Sequence, residues 1–536
     1  MIKKLSALLL TVCIAGVTAA GCGNLSGSSA NQTTQPPETK PVVTELSKLD
    51  MGKWKLNENT NMYYQAEIDY CEKPADEKYE KLAVFVPAAF MDGSDNGDGT
   101  YTCELNEKKL NGYSASDAPI VMPIETEGYY AATAMTDEFL GQNQGLIEMI
   151  SEYTSKGFVF VHAGCRGVEE GAPTGVTDLK AAIRYVRYCD DVLPGDSENI
   201  FVYGMSGGGA QSVLLGACGN SELYEPYLKA IGAIQGVSDA VAGSMSWCPI
   251  TSLDTADAEY EWMLGCSRTD RTAEEQEVTD RLSKAFADYL NKAGFVDENG
   301  KTLSLEESKE GIYQAGSYYD YIKSVIEKSL TNFLSDNKYT DTKAQEYIDS
   351  LNTDSKWASY DKSTHTASIT SVADFVKARK NAFPYYVGFD NPPGNNTLFG
   401  YGDGKGSHFD RILADILTDM NSEYAAAYNA DLEKTDSFGN TVEQRVDMYS
   451  PLYFLMDTRE GYKKADVAKY WRIRSGIEQP TTSLTTEVNL ALALNHYDGV
   501  KSVDFETVWE QSHTEAERTD DPTSNFIAWV NSCVKG

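Results

Sequence analysis

The chain has 536 residues and a formal net charge of −34, from 46 basic and 80 acidic side chains. Like charges repel, so this composition argues against nucleic acid as a partner and against direct adhesion to anionic membranes. The length exceeds one minimal domain and suits an enzyme core that carries a large insertion.

Residues 1–22 predict a lipoprotein signal peptide with its lipobox cysteine, of which the part before Cys22 is removed. Two lysines precede an apolar run at 5–17, which is too short for a comfortable membrane span, and small residues precede Cys22. This pattern resembles the lipobox of bacterial lipoproteins, whose cysteine is acylated; an ordinary signal peptide is the alternative. Residues 23–47 are rich in Ser, Thr, Gln and Pro and predict a flexible tether. We therefore expect an extracytoplasmic protein attached to the cell membrane only by lipid on Cys22.

Short apolar runs separated by helical patterns predict a doubly wound, mostly parallel α/β sheet. Residues 48–254 are expected to form the first part of this core, with a helix at 176–189. Its expected strands are 81–90, 118–125, 157–161, 199–205 and 230–237.

The pattern changes at about residue 255. Residues 255–455 predict a mainly helical insertion, acidic and rich in Tyr, that would form a lid. Strand patterns return at 470–476 and 501–509, so residues 456–536 predict the second part of the core. The insertion therefore precedes the last two strands of the sheet.

A glycine-rich corner joins the strand at 199–205 to a helix. It reads Gly204-Met205-Ser206-Gly207-Gly208, the G-x-S-x-G pattern of a nucleophile elbow. Glycines permit strand and helix to cross closely, while the serine is held in a strained conformation that exposes its hydroxyl. The N–H of Gly207, at the start of the helix, would stabilise an oxyanion. An ordinary glycine-rich turn is the alternative interpretation.

A serine hydroxyl needs a general base, which this fold takes from a loop after its last strand. His513 follows the strand at 501–509 and is the candidate base. The other histidines have structural interpretations, as a packed residue beside the 157–161 strand, as insertion residues or at a helix end: His162, His365, His408 and His496.

The triad acid should follow the penultimate strand, and Glu478 is the carboxylate available there. An exposed turn charge is the alternative role for Glu478. For the second oxyanion donor, the loop after the 157–161 strand offers the backbone N–H of Gly164 or Cys165.

The cysteines show no C-x-x-C metal spacing, and there is no H-E-x-x-H motif or His cluster. The sequence therefore predicts neither a metal nor another cofactor. Cys71 and Cys103 flank the first predicted strand and are candidates for a disulfide, whereas Cys189 and Cys218 lie in apolar surroundings typical of buried thiols.

Longer segments resemble bacterial tannases and their feruloyl-esterase-like relatives, namely 171–217, 248–262, 389–400, 470–484 and the region of His513. The resemblance implies a serine esterase of the α/β-hydrolase superfamily that acts on esters of phenolic acids. Ser206 and His513 would be its nucleophile and base.

Two departures accompany this resemblance. Tannases are expected to carry two Asp residues in the stretch that matches 479–481, one in the triad and one on the galloyl hydroxyls, where this chain has Gln479 and Thr481. Thr397 stands where a galloyl-binding Glu is expected before Leu-Phe-Gly. Gallate hydroxyls need such charged partners. Ester hydrolysis is therefore predicted, and galloyl specificity is not.

The leading hypothesis is a lipid-anchored carboxylic ester hydrolase that works through a Ser acyl-enzyme on a small or polymer-linked phenolic or other acyl ester. Two alternatives remain open at this point. One is a serine peptidase on the same fold, with acidic lid residues holding a peptide amino terminus. The other is a catalytically impaired binding lipoprotein, which the missing Asp favours.

Overall fold

The computed structural model describes residues 41–309, 313–382, 388, 390, 395–480 and 482–536. The predicted signal peptide, Cys22, residues 23–40 of the tether and Thr481 lie outside these ranges. The end of the tether prediction is corrected, because Val43 exchanges two 3.1 Å backbone hydrogen bonds with Gln235 and the Thr44 hydroxyl donates to Glu72 at 3.0 Å. Within the described ranges, no helix combines the length and apolarity that crossing a bilayer requires.

The strands are β1 (Lys55–Asn57), β2 (Met62–Asp69), β3 (Lys81–Pro87), β4 (Met91–Asp95), β5 (Tyr101–Leu105), β6 (Pro119–Ile124), β7 (Val159–Ala163), β8 (Asp196–Met205), β9 (Gly243–Trp247), β10 (Ala358–Asp361), β11 (Thr366–Ile369), β12 (Tyr470–Gly476) and β13 (Ser502–Val508). The main sheet has the order β1-β2-β3-β7-β6-β8-β9-β12-β13. Neighbouring strands from β7 to β13 in this order pair in parallel, whereas β1, β2 and β3 form an antiparallel edge.

The helices of the first core part are α1 (Asp137–Gln142), α2 (Gln144–Thr154), α3 (Thr174–Tyr188), α4 (Gly207–Ala217) and α5 (Glu225–Ala230). Between β9 and β12 lie α6 (Ala256–Leu264), α7 (Ala273–Ala293), α8 (Ser317–Asp336), α9 (Asp341–Leu351), α10 (Val372–Phe375), α11 (Asn395–Leu398), α12 (Arg411–Asp419), α13 (Ala425–Leu432), α14 (Val442–Met448) and α15 (Pro451–Leu455). The last two helices are α16 (Thr485–His496) and α17 (Pro522–Lys535).

The predicted fold class is confirmed by this mostly parallel sheet with flanking helices. Strands β6, β7 and β9 are buried along their whole length, as expected when helices cover both faces of a parallel sheet. Helical segments separate β9 from β12, together with the hairpin β10–β11, which the sequence did not predict.

One predicted strand is wrong. Ala230 ends α5, residues 231–237 form turns, bends and isolated bridges, and the strand beside β8 is β9, Gly243–Trp247. Gly232 and Gly236 adopt positive φ angles of 68° and 76°, which interrupt an extended run. The true strand reads Gly-Ser-Met-Ser-Trp, and its small polar residues hide the apolar signal that identifies buried strands.

The parallel arrangement matters for function because the carboxyl ends of the strands meet at one edge of the sheet. The loops after β6, β8, β12 and β13 leave from this edge. They carry residues 125–129, Ser206, residues 477–480 and 482–484, and His513 respectively.

Candidate active site

Ser206 occupies a strained bend between β8 and α4. Its φ of 58° and ψ of −118° lie in a region that side-chain-bearing residues rarely adopt. The conformation is held by the Ser206 N–H, which donates to the Trp247 carbonyl at 2.9 Å, and by the helix that starts at Gly207. The bend therefore has the geometry of a nucleophile elbow.

The flanking glycines are required by close backbone contacts. A Cβ added at Gly204 would lie 2.6 Å from the Gly208 carbonyl carbon, and one at Gly208 would lie 2.1 Å from the Ile124 oxygen. A Cβ at Gly207 would approach the Tyr129 nitrogen to 2.5 Å. Since real Cβ atoms do not pack so closely, the sequence at these positions is dictated by the crossing of β8, α4 and the loop after β6.

The structure brings His513 to Ser206, although 307 positions separate them. His513 Nε2 lies 2.8 Å from Ser206 Oγ, within hydrogen-bonding distance. Burial lowers the pKa of the His513 imidazole below its ordinary value of 6.5, so the neutral ring is favoured. A neutral ring with a free lone pair on Nε2 is the form that can accept the serine proton.

The imidazole's other nitrogen contacts an amide rather than a carboxylate. His513 Nδ1 lies 2.8 Å from Gln479 Oε1. An amide oxygen can only accept, so Nδ1 carries the hydrogen and Nε2 is left unprotonated. Gln479 thus occupies the place of the triad acid.

Gln479 is itself held by buried polar groups. Its Nε2 donates to Glu487 Oε1 at 2.8 Å and to Ser475 Oγ at 2.9 Å. Glu487 is fully buried at the start of α16, and burial raises the pKa of its carboxyl above the usual range. The sequence prediction missed both residues, Gln479 because it is not an acid and Glu487 because its position in an apolar helix hid it.

Glu478 does not contact His513, so its prediction as the triad acid is wrong. Its Oε1 accepts hydrogen bonds from Arg379 Nη2 and Nε at 2.5 and 2.9 Å. The Glu478 N–H donates to the Gln511 carbonyl at 3.0 Å. This backbone bond ties the loop after β12 to the loop of His513, and it places the next side chain, Gln479, against the imidazole.

The close approach of these two loops requires Gly476. A Cβ at this position would lie 1.8 Å from the Ser512 carbonyl oxygen, immediately before His513. Cys248, after β9, supports the same loop because its thiol lies 3.3 Å from the Thr514 carbonyl oxygen and accepts from the Gly476 N–H at 3.4 Å.

The predicted second oxyanion donors are wrong. The Gly164 N–H donates to the Lys81 carbonyl and the Cys165 N–H to the Ala132 carbonyl, both at 2.9 Å, so neither is available to a substrate. The strand order explains the error, because β6, not β7, is the neighbour of β8. The loop after β6, residues 125–129, packs against Gly207 instead.

The four other histidines make structural contacts, in line with their sequence-based interpretation. His162 is buried with Nε2 3.2 Å from Glu125, and the His408 ring stacks on Tyr428 with centroids 3.7 Å apart. His365 accompanies Asp341 on the surface, and His496 Nδ1 contacts the Leu492 carbonyl within α16.

The proposed disulfide between Cys71 and Cys103 is absent from the described chain, where both are free, buried thiols. Cys189 and Cys218 are also free and buried, as expected. Among the described residues, no group of three or more His, Cys, Asp or Glu side chains has a geometry that could hold a metal ion.

A family model and several solved structures are similar to this chain. Residues 112–303 match the BD-FAE family model. Comparison with curated protein sequences gave no significant match.

Among solved structures, the native tannin acyl hydrolase from Lactobacillus plantarum is 27% identical with a TM-score of 0.67, over 88% of this chain and 94% of that one. A structure of tannin acyl hydrolase in complex with ethyl gallate matches with the same identity, TM-score and coverage. The Fusobacterium nucleatum tannase is 26% identical with a TM-score of 0.68, over 88% and 95% of the two chains. The resemblance that the sequence motifs indicated is confirmed.

Proposed function

We propose that this chain, a tannase-like ester hydrolase with an α/β-hydrolase fold, cleaves carboxylic esters through an acyl-enzyme on Ser206. The observation that carries the proposal is the 2.8 Å contact between Ser206 Oγ and His513 Nε2 at a strained elbow. A packing serine has no need of strained backbone, and a nucleophile does, because the strain lifts its hydroxyl above the sheet.

The proposed reaction assigns a role to each of these groups. Ser206 Oγ passes its proton to His513 Nε2 and bonds to the ester carbonyl carbon, and the carbonyl oxygen becomes an oxyanion. The N–H of Gly207 and an N–H from the loop 125–128 would hold this oxyanion. His513 then protonates the departing alcohol, and water, activated by the same imidazole, hydrolyses the acyl-enzyme.

The neutral third member lowers the expected rate. A carboxylate beside Nδ1 would stabilise the imidazolium that forms when the serine loses its proton, whereas Gln479 supplies only a dipole. This substitution also favours the alternative of a binding lipoprotein, so the test must separate a slow enzyme from an inactive one.

Fluorophosphonate labelling makes that separation. We expect a covalent adduct on Ser206 in the natural chain and none in Ser206→Ala, read by intact mass and peptide mapping. Ser206→Ala is the matched control because it removes only the nucleophilic oxygen. Folded natural protein that takes up no label would replace the enzyme proposal with the binding alternative.

The substrate is proposed to be a phenolic or other acyl ester without galloyl specificity. Gln479 is occupied by His513 and Glu487, and Thr397 cannot form charge-assisted bonds with gallate hydroxyls. A panel of methyl ferulate, methyl gallate and short-chain acyl esters should show no preference for the gallate. Comparison of p-nitrophenyl acetate with dipeptide anilides tests the peptidase alternative, because a peptidase prefers an amide with a free amino terminus.

Lipid attachment at Cys22 is proposed from the sequence pattern. Cys22→Ser should release the protein from membranes into the soluble extracytoplasmic fraction. Membrane association that persists in this variant would contradict the anchor.

A further inference from the structure

A glutamine in the third position of a triad creates an ambiguity that an aspartate does not have. The two ends of the amide are similar in shape, yet one accepts a hydrogen bond and the other donates. If Nε2 of Gln479 faced His513, Nδ1 would have to accept, and the ring hydrogen would move to Nε2. Ser206 would then face a donor and could not lose its proton to the ring. Catalysis therefore requires one orientation of this amide.

Glu487 resolves the ambiguity. Its Oε1 accepts from Ser475 Oγ at 2.7 Å and from Gln479 Nε2 at 2.8 Å. Because the Ser475 hydroxyl hydrogen is directed to Glu487, the Ser475 oxygen faces Gln479 as an acceptor, 2.9 Å from Nε2. Both neighbours of this end of the amide are acceptors, so only the NH₂ group fits there.

Burial makes this preference strong. Ser475, Gln479 and Glu487 are each no more than 1% exposed. Turning the amide over would set its carbonyl oxygen against two acceptors in a place with little solvent, and a buried polar group without a partner is costly.

We propose that Glu487 is a positioning residue that fixes the amide of Gln479, and through it the Nδ1–H tautomer of His513, in the form that serves Ser206. This inference rests on the proposed function. In this site, a chain of hydrogen bonds from Glu487 through Gln479 to His513 takes the place of the direct charge stabilisation that an aspartate would provide.

The selection is complete when Glu487 is ionised, because a carboxylate can only accept hydrogen bonds. The groups that act electrostatically on this carboxyl are Lys380, Cys248, Glu259 and Tyr260. Oε1 accepts hydrogen bonds when the carboxyl is charged or when its hydrogen is on Oε2, for which the described residues offer no hydrogen-bond partner. What Glu487 supplies is an acceptor.

Two variants test the acceptor at position 487. Glu487→Met keeps the length of the side chain and removes the acceptor, so the Ser475 hydroxyl can donate to a reversed amide. We expect kcat for p-nitrophenyl acetate to fall at least about tenfold with KM nearly unchanged, towards the roughly 10⁴-fold loss that a wrong tautomer causes in serine proteases. Glu487→Gln can present either its oxygen or its NH₂ group to Gln479, so its kcat should lie between those of the natural chain and Glu487→Met.

Glu259→Met is the matched control. Glu259 is as deeply buried and accepts a hydrogen bond from Thr486, but it does not contact Gln479. We expect it to lower thermal stability without changing kcat per folded molecule. If Glu487→Met stays within threefold of the natural chain, the proposal is overturned.

A spectroscopic measurement reads the tautomer of His513 in the natural chain directly. In protein labelled with ¹⁵N-histidine, two-bond proton–nitrogen spectra distinguish the two neutral tautomers, and His513→Ala assigns the signal. We expect the Nδ1–H form in the natural chain and a mixture in Glu487→Met; an Nε2–H form in the natural chain contradicts the proposal. Fluorophosphonate labelling of the natural chain tests the proposed function separately. If the natural chain is labelled at Ser206 but Glu487→Met keeps the Nδ1–H tautomer, the proposed function stands and only this inference is contradicted.

Discussion

The two halves of the candidate site are built in different ways. The nucleophile corner, Gly204–Gly208, is a continuous segment whose shape is set by backbone contacts and by a strained φ at Ser206. The imidazole corner joins three separate places, Gln479, Glu487 and His513, by side-chain hydrogen bonds. The nucleophile corner tolerates little sequence change because backbone contacts define it. In the imidazole corner a glutamine can stand in the place of an aspartate, provided that a neighbouring side chain keeps its amide oriented.

The largest effect is expected at the nucleophile corner. Ser206→Ala should lower kcat about 10⁵-fold or more, because the oxyanion donors alone leave little catalysis. Ser206→Gly should be equally inactive but more stable than Ser206→Ala by about 1 kcal/mol, since glycine relieves the positive φ. Thermal unfolding of both variants measures the difference; equal stability would show that the elbow stores no strain.

Gly476→Ala should disturb the imidazole corner without touching its side chains. The added Cβ would meet the Ser512 carbonyl and displace His513, and a displacement of about 1 Å can cost about 10²-fold in rate. The control is Gly145→Ala in α2, where no atom lies within 4 Å of the new Cβ. Steady-state kinetics on both variants measures the effect, and circular dichroism verifies that they fold. Full activity in Gly476→Ala would show that the loop carrying His513 shifts to accommodate the new Cβ without cost to catalysis.

Exchange of the amide and the acid should strengthen the imidazole corner. Gln479→Glu combined with Glu487→Gln conserves net charge and hydrogen-bonding groups while placing a carboxylate on Nδ1. Because that carboxylate stabilises the imidazolium, we expect kcat to rise about tenfold. A slower double variant would show that the natural amide is the better partner.

The same exchange should change the pH profile. In the natural chain burial lowers the pKa of His513, so the neutral base persists below pH 6.5 and activity is lost only as pH falls through that lowered value. A carboxylate beside the ring raises this pKa, so the acid limb of kcat/KM should move to higher pH in the double variant. Profiles of both proteins between pH 4 and 8 measure the shift; coincident limbs would contradict it.

The smallest effect is expected at Glu478. Its partner is Arg379 on the partly exposed side of the loop, so Glu478→Gln should change kcat by less than about threefold and stability by about 0–1 kcal/mol. The neighbouring Gln479→Met should lower kcat at least about tenfold, because it leaves His513 Nδ1 without an acceptor. Similar losses in the two variants would restore Glu478 as a candidate acid.

Much of the fold was predictable because its signals are local. Apolar runs identified most of the parallel strands, and the glycine pattern identified the elbow, since both depend on neighbouring residues. The strand β9 was missed because it contains buried serines; Ser244, for example, is accommodated by a tertiary contact 3.1 Å from Ser212 of α4. Periodicity carries no record of such contacts.

The sequence by itself determined the nucleophile corner and the residue that serves it, because a strained turn needs glycines and a serine needs a base. Only the tertiary structure decided which side chain faces the other side of that base and which strand supplies the loop beside the elbow. Adjacent residues on a loop differ in direction, so Glu478 points to Arg379 and Gln479 to His513. Direction is set by the register of β12 against β13 and by one close contact at Gly476, and neither is written in the local sequence.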